Sequence, residues 1–270
     1  MPELPEVETV RRTLERLIIG KTIQDIEVIY PKIIQMDEHD FVHRLIGQTV
    51  QRIDLMGKHL IVHLNQDVLI IHLRMEGRFF YHALGTRLTK HDHLCFHLSD
   101  GMQLTYHDVR KFGTMHLFDS SDYLKKGPLA ELAKEPDDMD MTEFKKNIQK
   151  RKTEIKAILL DQKVVSGLGN IYVDETLFRA GIHPTRLGKD ITDLEVEKIL
   201  DAAKAVLHKA ILLGGTTIRT FEAMDGVHGR FQNELMVHTK ENKPCPICGT
   251  PIIKTKVKGR GTYVCPTCQR

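Results

Sequence analysis

The sequence contains no apolar run approaching the roughly 20 residues that a membrane-spanning helix requires. Its opening residues, MPELPE, place acidic side chains where a secretory signal would have an apolar stretch. These absences argue against a membrane or secreted protein, so we expect a cytoplasmic one. Hydrophobic residues make up 41% and charged residues 28% of the 270 positions, which is typical of a globular chain with two domains.

Net charge is also small, at +3, and does not by itself indicate a nucleic-acid partner. The basic excess is concentrated from residue 240 onward, where Glu241 is the one acidic residue. The seven basic residues of this stretch are Lys240, Lys243, Lys254, Lys256, Lys258, Arg260 and Arg270. A solvated tail could have this composition, but four cysteines in the same stretch indicate a folded unit that could contact phosphate.

Four of the five cysteines form two Cys-x-x-Cys pairs. The pairs are Cys245 with Cys248, and Cys265 with Cys268. In a cytosolic protein this spacing favours a metal site over disulfides, with the intervening segment folded back as a hairpin. We therefore predict one structural Zn²⁺, in preference to an iron–sulfur cluster. Cys95 lies in an apolar run and is predicted to be a buried spectator.

Hydrophobic periodicity separates a β-rich first half from a helical second half. Residues 2–19 have apolar side chains at helical spacing, and Gly20 is suited to the position after a helix end. From about residue 22 to 118, short β-type runs separated by turn signals predict a β-sandwich. The acidic stretch 134–141 lacks apolar periodicity and is predicted to be a linker.

The second half has helical segments at 154–162 and 171–180, and a longer one that begins with a capping box at Thr192. The turn at 167–170, GLGN, precedes one of these helices. Its exposed backbone N–H groups and the helix N-terminus could bind a DNA phosphate. From these four residues alone, a tight turn with Asn170 as the N-cap is the better interpretation.

Five segments taken together resemble the bacterial formamidopyrimidine-DNA glycosylase family. They are PELPEVET at 2–9, HLRMEG at 72–77, DVRKFG at 108–113, GLGNIYVDE at 167–175 and GRGT at 259–262. The resemblance implies an α+β fold: an N-terminal β-sandwich with a leading helix, then a helical domain with a helix–two-turn–helix and a four-cysteine zinc finger. It places the domains at 1–133, 142–240 and 241–270, with the linker at 134–141.

The resemblance also implies a bifunctional glycosylase and AP lyase that excises oxidised purines. After removal of Met1, Pro2 would attack the deoxyribose C1′ and form a Schiff base that leads to β,δ-elimination. An α-amino group suits this task, since its reference pKa of about 7.7–8.0 lies well below the value of about 10.4 for lysine. Glu3 would act as the acid–base residue, Glu6 would orient it or the proline amine, and Lys58 would contact the phosphate near the lesion and assist base loss or elimination.

Double-stranded damaged DNA is the implied partner, bound by a monomer. By resemblance, Met75, Arg110 and Phe112 fill the gap that the extruded nucleotide leaves. Further DNA contacts are implied for Lys156, Asn170, Arg260 and His93. The segment 216–231 resembles a mobile loop that closes over the extruded base. The sequence departs from the family pattern at His238, which stands where a tyrosine contact to phosphate is usual.

Two other functions are compatible with parts of the sequence. An endonuclease VIII-like enzyme would prefer oxidised pyrimidines, but Leu4, Met75 and Phe112 argue against it. A zinc-ribbon DNA-binding protein without catalysis would have no need to combine the opening PELPE with Lys58.

Overall fold

The computed structural model describes residues 2–216 and 229–270. The predicted mobile loop falls largely on residues 217–228, which lie outside the described residues. The chain divides into two compact units, Met1–Ala130 with Gly214–Gly229, and Glu131–Leu213 with Arg230–Arg270. Within the described ranges, no helix combines the length and apolar character needed to cross a membrane.

The first unit opens with the predicted amphipathic helix, α1 (Leu4–Ile18). Glu3 is its N-cap, and Pro5 lies in the first turn, where a missing N–H costs no helical hydrogen bond. The apolar side chains at 7, 10, 14 and 18 are all buried. Gly20 follows the helix with a φ of +75°, which a residue with a side chain rarely adopts.

After α1, two four-stranded antiparallel sheets form most of the described part of this unit and confirm the predicted sandwich. In chain order the strands are β1 (Ile23–Val28), β2 (Arg52–Met56), β3 (His59–His63), β4 (Asp67–His72), β5 (Arg78–Ala83), β6 (Asp92–Leu98), β7 (Met102–His107) and β8 (Thr114–Asp119). One sheet has the order β1-β6-β7-β5 and the other β2-β3-β4-β8. Apolar side chains from α1 and from both sheets share one core.

Two elements of this unit were not expected from periodicity. Strand β5 contains the consecutive aromatic residues of RFFYHA, so its sequence shows no alternation of apolar and polar positions. Helix α2 (Glu38–Leu45) buries only Phe41 and Leu45, and its Asp37 N-cap accepts the Asp40 N–H at 3.0 Å. Helix α2 therefore depends on its N-cap, and strand β5 on pairing with β7, neither of which a hydrophobic pattern reports.

The second unit contains the three predicted helical segments, a further helix at Met141–Gln149 that was not predicted, and the predicted zinc ribbon of residues 241–270. Its helices are α3 (Met141–Gln149), α4 (Ile155–Leu160), α5 (Asn170–Ala180) and α6 (Asp193–Leu212), and its strands are β9 (Ile253–Val257) and β10 (Arg260–Val264). The capping box of α6 forms as expected, since the Glu195 carboxylate accepts the Thr192 N–H at 2.9 Å. In the predicted linker, 134–141, a short 3-10 helix covers Pro136–Asp138.

Candidate functional site

The N-terminal end of α1 is fixed by the carboxylate of Glu6. One oxygen, Oε2, accepts the Glu3 N–H at 2.9 Å. The other, Oε1, accepts the Thr216 N–H at 2.6 Å and the Thr216 hydroxyl at 2.9 Å. Pro2, Glu3 and Glu6 are all buried. Glu6 therefore holds both the residue that follows Pro2 and Thr216, the first residue of the predicted loop.

Lys58 lies in the two-residue turn between β2 and β3. Gly57 takes the first turn position with a φ of +60°, as a type II′ hairpin requires. Strand β2 packs on the first helix, because Arg11 donates from Nη1 to the Ile53 carbonyl at 3.1 Å. Lys58 is 7% exposed.

Next to Lys58, two histidines of neighbouring strands pack against each other. His59 pairs with His72 across β3 and β4, and the ring centroids are 4.5 Å apart in a T-shaped arrangement. Burial lowers the pKa of His59 to about 4 and that of His72 to about 2, with a smaller contribution from Arg74 in each case. Both rings are therefore neutral at physiological pH. His72 Nδ1 accepts the Arg74 N–H at 2.9 Å and so supports the turn that carries Met75.

The turn at 108–113 is built around a buried carboxylate. Asp108 Oδ1 accepts the Arg110 N–H, and Oδ2 accepts the N–H groups of Phe112 and Gly113, each at 2.9 Å. The resulting turn exposes 51% of Phe112, and the Arg110 guanidinium lies over its ring at 4.8 Å. An exposed aromatic residue on a rigid turn is suited to insertion between bases.

His93 supports the same turn from inside the unit. It is 1% exposed, and its Nε2 lies 2.7 Å from the Asp108 carbonyl oxygen. A direct contact between His93 and DNA stays a prediction, and this burial speaks against it. We propose instead that His93 positions the backbone of Asp108.

In the second unit, Asn170 and Arg260 are brought together at the N-terminus of α5. Asn170 Nδ2 donates to the carbonyl of Gly261 at 3.0 Å. Arg260, which directly precedes Gly261 in the chain, is exposed. The N-cap of α5 is Gly169 and not Asn170, which is the first helical residue. The Asn170 side chain is therefore directed to the ribbon and is not used to cap the helix.

Lys156 is fully buried beneath this contact. Its ammonium donates to Asp174 Oδ1 at 2.7 Å, to the Gly261 carbonyl at 3.0 Å and to Thr262 Oγ1 at 2.9 Å. The predicted contact of Lys156 with DNA is untested, but a side chain with no exposed surface and these three acceptors is poorly placed to reach phosphate. We propose that it holds the strand that presents Arg260.

The four cysteines of the ribbon fit a tetrahedral zinc site. Their Sγ atoms all lie within 4.8 Å of one another. The Cys245–Cys268 and Cys248–Cys265 separations are 3.9 Å and 3.5 Å. Zn–S bonds of about 2.3 Å require sulfur atoms about 3.8 Å apart in a tetrahedron. These residues therefore hold one structural zinc, and β9 and β10 form the predicted hairpin between the two pairs.

Several residues that build these sites were missed by reasoning from sequence. Glu175 accepts the N–H groups of residues 236, 237 and 238 at 2.8–3.0 Å, and burial raises its pKa. Asp174 binds both Lys156 and His238 Nδ1, the latter at 2.8 Å. Asp174 and Glu175 are consecutive acidic residues within an otherwise largely apolar stretch of α5. This placement was the one signal in the sequence that could have indicated buried carboxylates.

The structure thus defines a protein with a β-sandwich unit in which a buried Pro2 precedes the first helix, and a helical unit with a zinc ribbon. Three family models match the chain: the formamidopyrimidine-DNA glycosylase N-terminal domain at residues 1–115, the H2TH domain of the same enzymes at 132–222, and a zinc finger found in FPG and IleRS at 242–270.

Relatives match over the whole chain. Formamidopyrimidine-DNA glycosylases of Bacillus cereus and Geobacillus kaustophilus are 48% and 47% identical to it, covering all of this chain and 99% and 100% of theirs. The solved structure of a Lactococcus lactis FPG mutant with Fapy-dG-containing DNA matches with a TM-score of 0.95 at 42% identity, covering both chains completely. A MutM complex with carbocyclic 8-oxo-G-containing DNA matches at 0.94 and 42%, also over both chains. The chain belongs to the formamidopyrimidine-DNA glycosylase family.

Proposed function

We propose that the chain excises oxidised purines, 8-oxoguanine and formamidopyrimidines, from double-stranded DNA and then cleaves the strand as an AP lyase. The observation that carries this proposal is the Glu6 carboxylate, which holds the Glu3 backbone at 2.9 Å and thereby fixes Pro2 at the start of α1. The structural relatives were solved with Fapy-dG, carbocyclic 8-oxo-G and abasic-site DNA, which supports the same class of substrate here.

The chemistry follows from an amine fixed at a helix N-terminus. The partial positive charge there favours the neutral, nucleophilic form of the Pro2 nitrogen, once Met1 is removed. Attack on C1′ breaks the glycosidic bond, and the base departs with a proton. Glu3 protonates the ring oxygen of the deoxyribose, so that the sugar opens to an iminium.

The iminium then acts as the electron sink for strand cleavage. It acidifies the C2′ proton, whose removal expels the 3′ phosphate, and a second elimination expels the 5′ phosphate. Lys58, on the tight β2–β3 turn, neutralises charge at the phosphate beside the lesion. The zinc takes no part in these steps and supplies structure to the ribbon.

DNA recognition is assigned to two sets of side chains, one in each unit. In the first unit, Met75, Arg110 and Phe112 fill the space of the extruded nucleotide. In the second, Asn170 and Arg260 bind backbone phosphate at the N-terminus of α5. We place this activity in the bacterial cytoplasm, with a monomer acting on the chromosome.

Covalent trapping tests the proposal directly. With an 8-oxoguanine·cytosine duplex and borohydride, the wild-type protein should form an adduct that mass spectrometry locates on the N-terminal peptide. Pro2→Gly should trap weakly, and Lys58→Ala should slow excision. Lys126→Ala is the matched control for the lysine, because Lys126 is exposed on the same unit and pairs with Asp122. A wild-type protein that binds the duplex without trapping would refute the proposal, and preference for thymine glycol would overturn the substrate class.

A further inference from the structure

The hydroxyl group of Tyr106 lies beneath two turns of the first unit. Tyr106 is a fully buried residue of β7, and its ring packs on Phe79 with centroids 5.3 Å apart. A Cβ added at Gly77 would come within 2.3 Å of the hydroxyl oxygen, and one added at Gly113 within 1.7 Å. Only glycine therefore lets both turns approach this oxygen.

The same hydroxyl also reaches the carboxylate that shapes the second turn. Tyr106 Oη is 3.4 Å from Asp108 Oδ2, the oxygen that accepts the N–H groups of Phe112 and Gly113. Burial, and then the Asp108 charge, raises the pKa of Tyr106, so the hydroxyl stays protonated and donates to Asp108.

The turn at residues 73–77 approaches the Tyr106 hydroxyl oxygen through Gly77. The Gly77 N–H donates to the Leu73 carbonyl at 3.0 Å and closes the turn that carries Met75. A Cβ at Gly77 would also lie 2.6 Å from that carbonyl. One buried oxygen thus contacts the turn with Met75 and the turn with Arg110 and Phe112.

We propose that the Tyr106 hydroxyl is a positioning group for nucleotide extrusion, because it sets the spacing between Met75 and the Arg110–Phe112 pair. This inference rests on the proposed function, in which these three side chains occupy the space of the extruded nucleotide. Removing the oxygen leaves a one-atom gap between two glycine turns, into which either turn can shift. Displacement of a positioned group by about 1 Å can cost about 100-fold in rate.

Tyr106→Phe removes this oxygen and preserves the ring. We expect single-turnover excision of 8-oxoguanine opposite cytosine to slow by about tenfold or more, within the range that such displacement produces. Borohydride trapping on an abasic site in single-stranded DNA, which has no partner base and no stack to fill, should stay at the wild-type level. Tyr81→Phe is the matched control, because Tyr81 lies on β5 of the same sheet and its hydroxyl binds Asp100 in an exposed turn. It should leave both reactions unchanged.

A second measurement does not depend on catalysis. The sequence contains no tryptophan, so Phe112→Trp places a single tryptophan on the exposed turn, and its emission can be excited selectively above the absorption of tyrosine. Adding Tyr106→Phe to this variant should lower the tryptophan anisotropy of the free protein, whereas adding Tyr81→Phe should not.

The two measurements separate the failure of this inference from the failure of the proposed function. A wild-type protein that neither excises nor traps would refute the proposed function, while the anisotropy would still decide whether Tyr106 orders the turn. Positioning by Tyr106 is overturned if Tyr106→Phe leaves duplex excision and anisotropy unchanged. It is also overturned if Tyr106→Phe slows duplex excision and single-stranded trapping by the same factor and lowers the melting temperature, because a general loss of folded protein would then explain both.

Discussion

Acidification should destabilise the first unit through the buried pair His59 and His72. His59 is 7% exposed, and its Nδ1 is buried without a hydrogen-bond partner among the described residues. Burial is the main cause of the lowered pKa of each ring, about 4 for His59 and about 2 for His72. In the unfolded chain both rings return to about 6.5. The folded protein therefore binds fewer protons than the unfolded chain, and stability falls as the pH falls below about 6.5.

The size of the effect follows from the two pKa values of each ring. At pH 5 an unfolded histidine is almost fully protonated, while both buried rings remain largely neutral. Each ring then lowers the free energy of unfolding by about 2 kcal/mol relative to pH 7.5, or about 4 kcal/mol together. For His59 the loss would approach about 3 kcal/mol below pH 4, where the full shift of its pKa contributes. Such losses are a large part of the stability of a typical domain.

The assay compares wild-type protein with His59→Phe, which keeps a ring against His72 and removes one titrating group. Urea unfolding would be followed by far-UV circular dichroism between pH 7.5 and 5, and hydrogen exchange of β3 and β4 peptides would assign the transition to this unit. The variant should lose about 2 kcal/mol less than wild type over this range, whatever its stability at pH 7.5. His39→Gln is the control, since His39 is exposed on α2. Equal losses for wild type and His59→Phe would refute the reasoning.

Three further predictions concern the proposed active site, the phosphate contact and the zinc site. Glu6→Gln replaces one carboxylate oxygen by an amide group, which faces the backbone N–H donors that Glu6 now accepts. We therefore expect a loss of about 1–3 kcal/mol in stability and weaker covalent trapping. The control Glu15→Gln, at a solvent-accessible position of α1, should change neither. Arg260→Ala should reduce the slope of log binding constant against log salt concentration by about one phosphate contact. Lys156→Met should weaken DNA binding without changing this slope. An equal change in slope for both variants would show that Lys156 reaches phosphate. Cys245→Ser should abolish the one-to-one zinc content by atomic emission and lower DNA affinity, because Cys245 also packs in the small core below the ribbon; retained zinc would contradict the ligand set.

Local signals in the sequence were sufficient for the elements that form by short-range interactions. The spacing of the apolar residues of α1 matches its buried face, and the Thr192–Glu195 pair caps α6 as its spacing requires. The two Cys-x-x-Cys pairs likewise form a cluster, since each pair needs only a tight turn to bring its sulfur atoms together. In these cases the interacting residues are neighbours in the chain or share one simple motif.

The supports of the candidate site could not be predicted in the same way, because they join residues far apart in the chain. Lys156 is a basic residue near a DNA-binding motif, and only its contacts with Asp174 and Thr262 show that it lies inside. His93 appears in an unremarkable strand, and its role depends on the Asp108 carbonyl. A basic or imidazole side chain gives the same signal in the sequence whether it reaches DNA or a buried acceptor.

The distribution of buried carboxylates explains how a protein of this family can hold its loops close to phosphate. Glu6, Asp108 and Glu175 each accept two or three backbone N–H groups of a loop or turn, and Asp174 binds a buried lysine and a histidine. An exposed acid at these places would repel DNA. When the acid is buried and surrounded by donors, its charge is compensated locally, and the backbone that it binds is held in one conformation. In the proposed complex with DNA, the basic and aromatic side chains at the surface meet the nucleic acid from turns whose geometry is set before binding, which lowers the entropy lost on association.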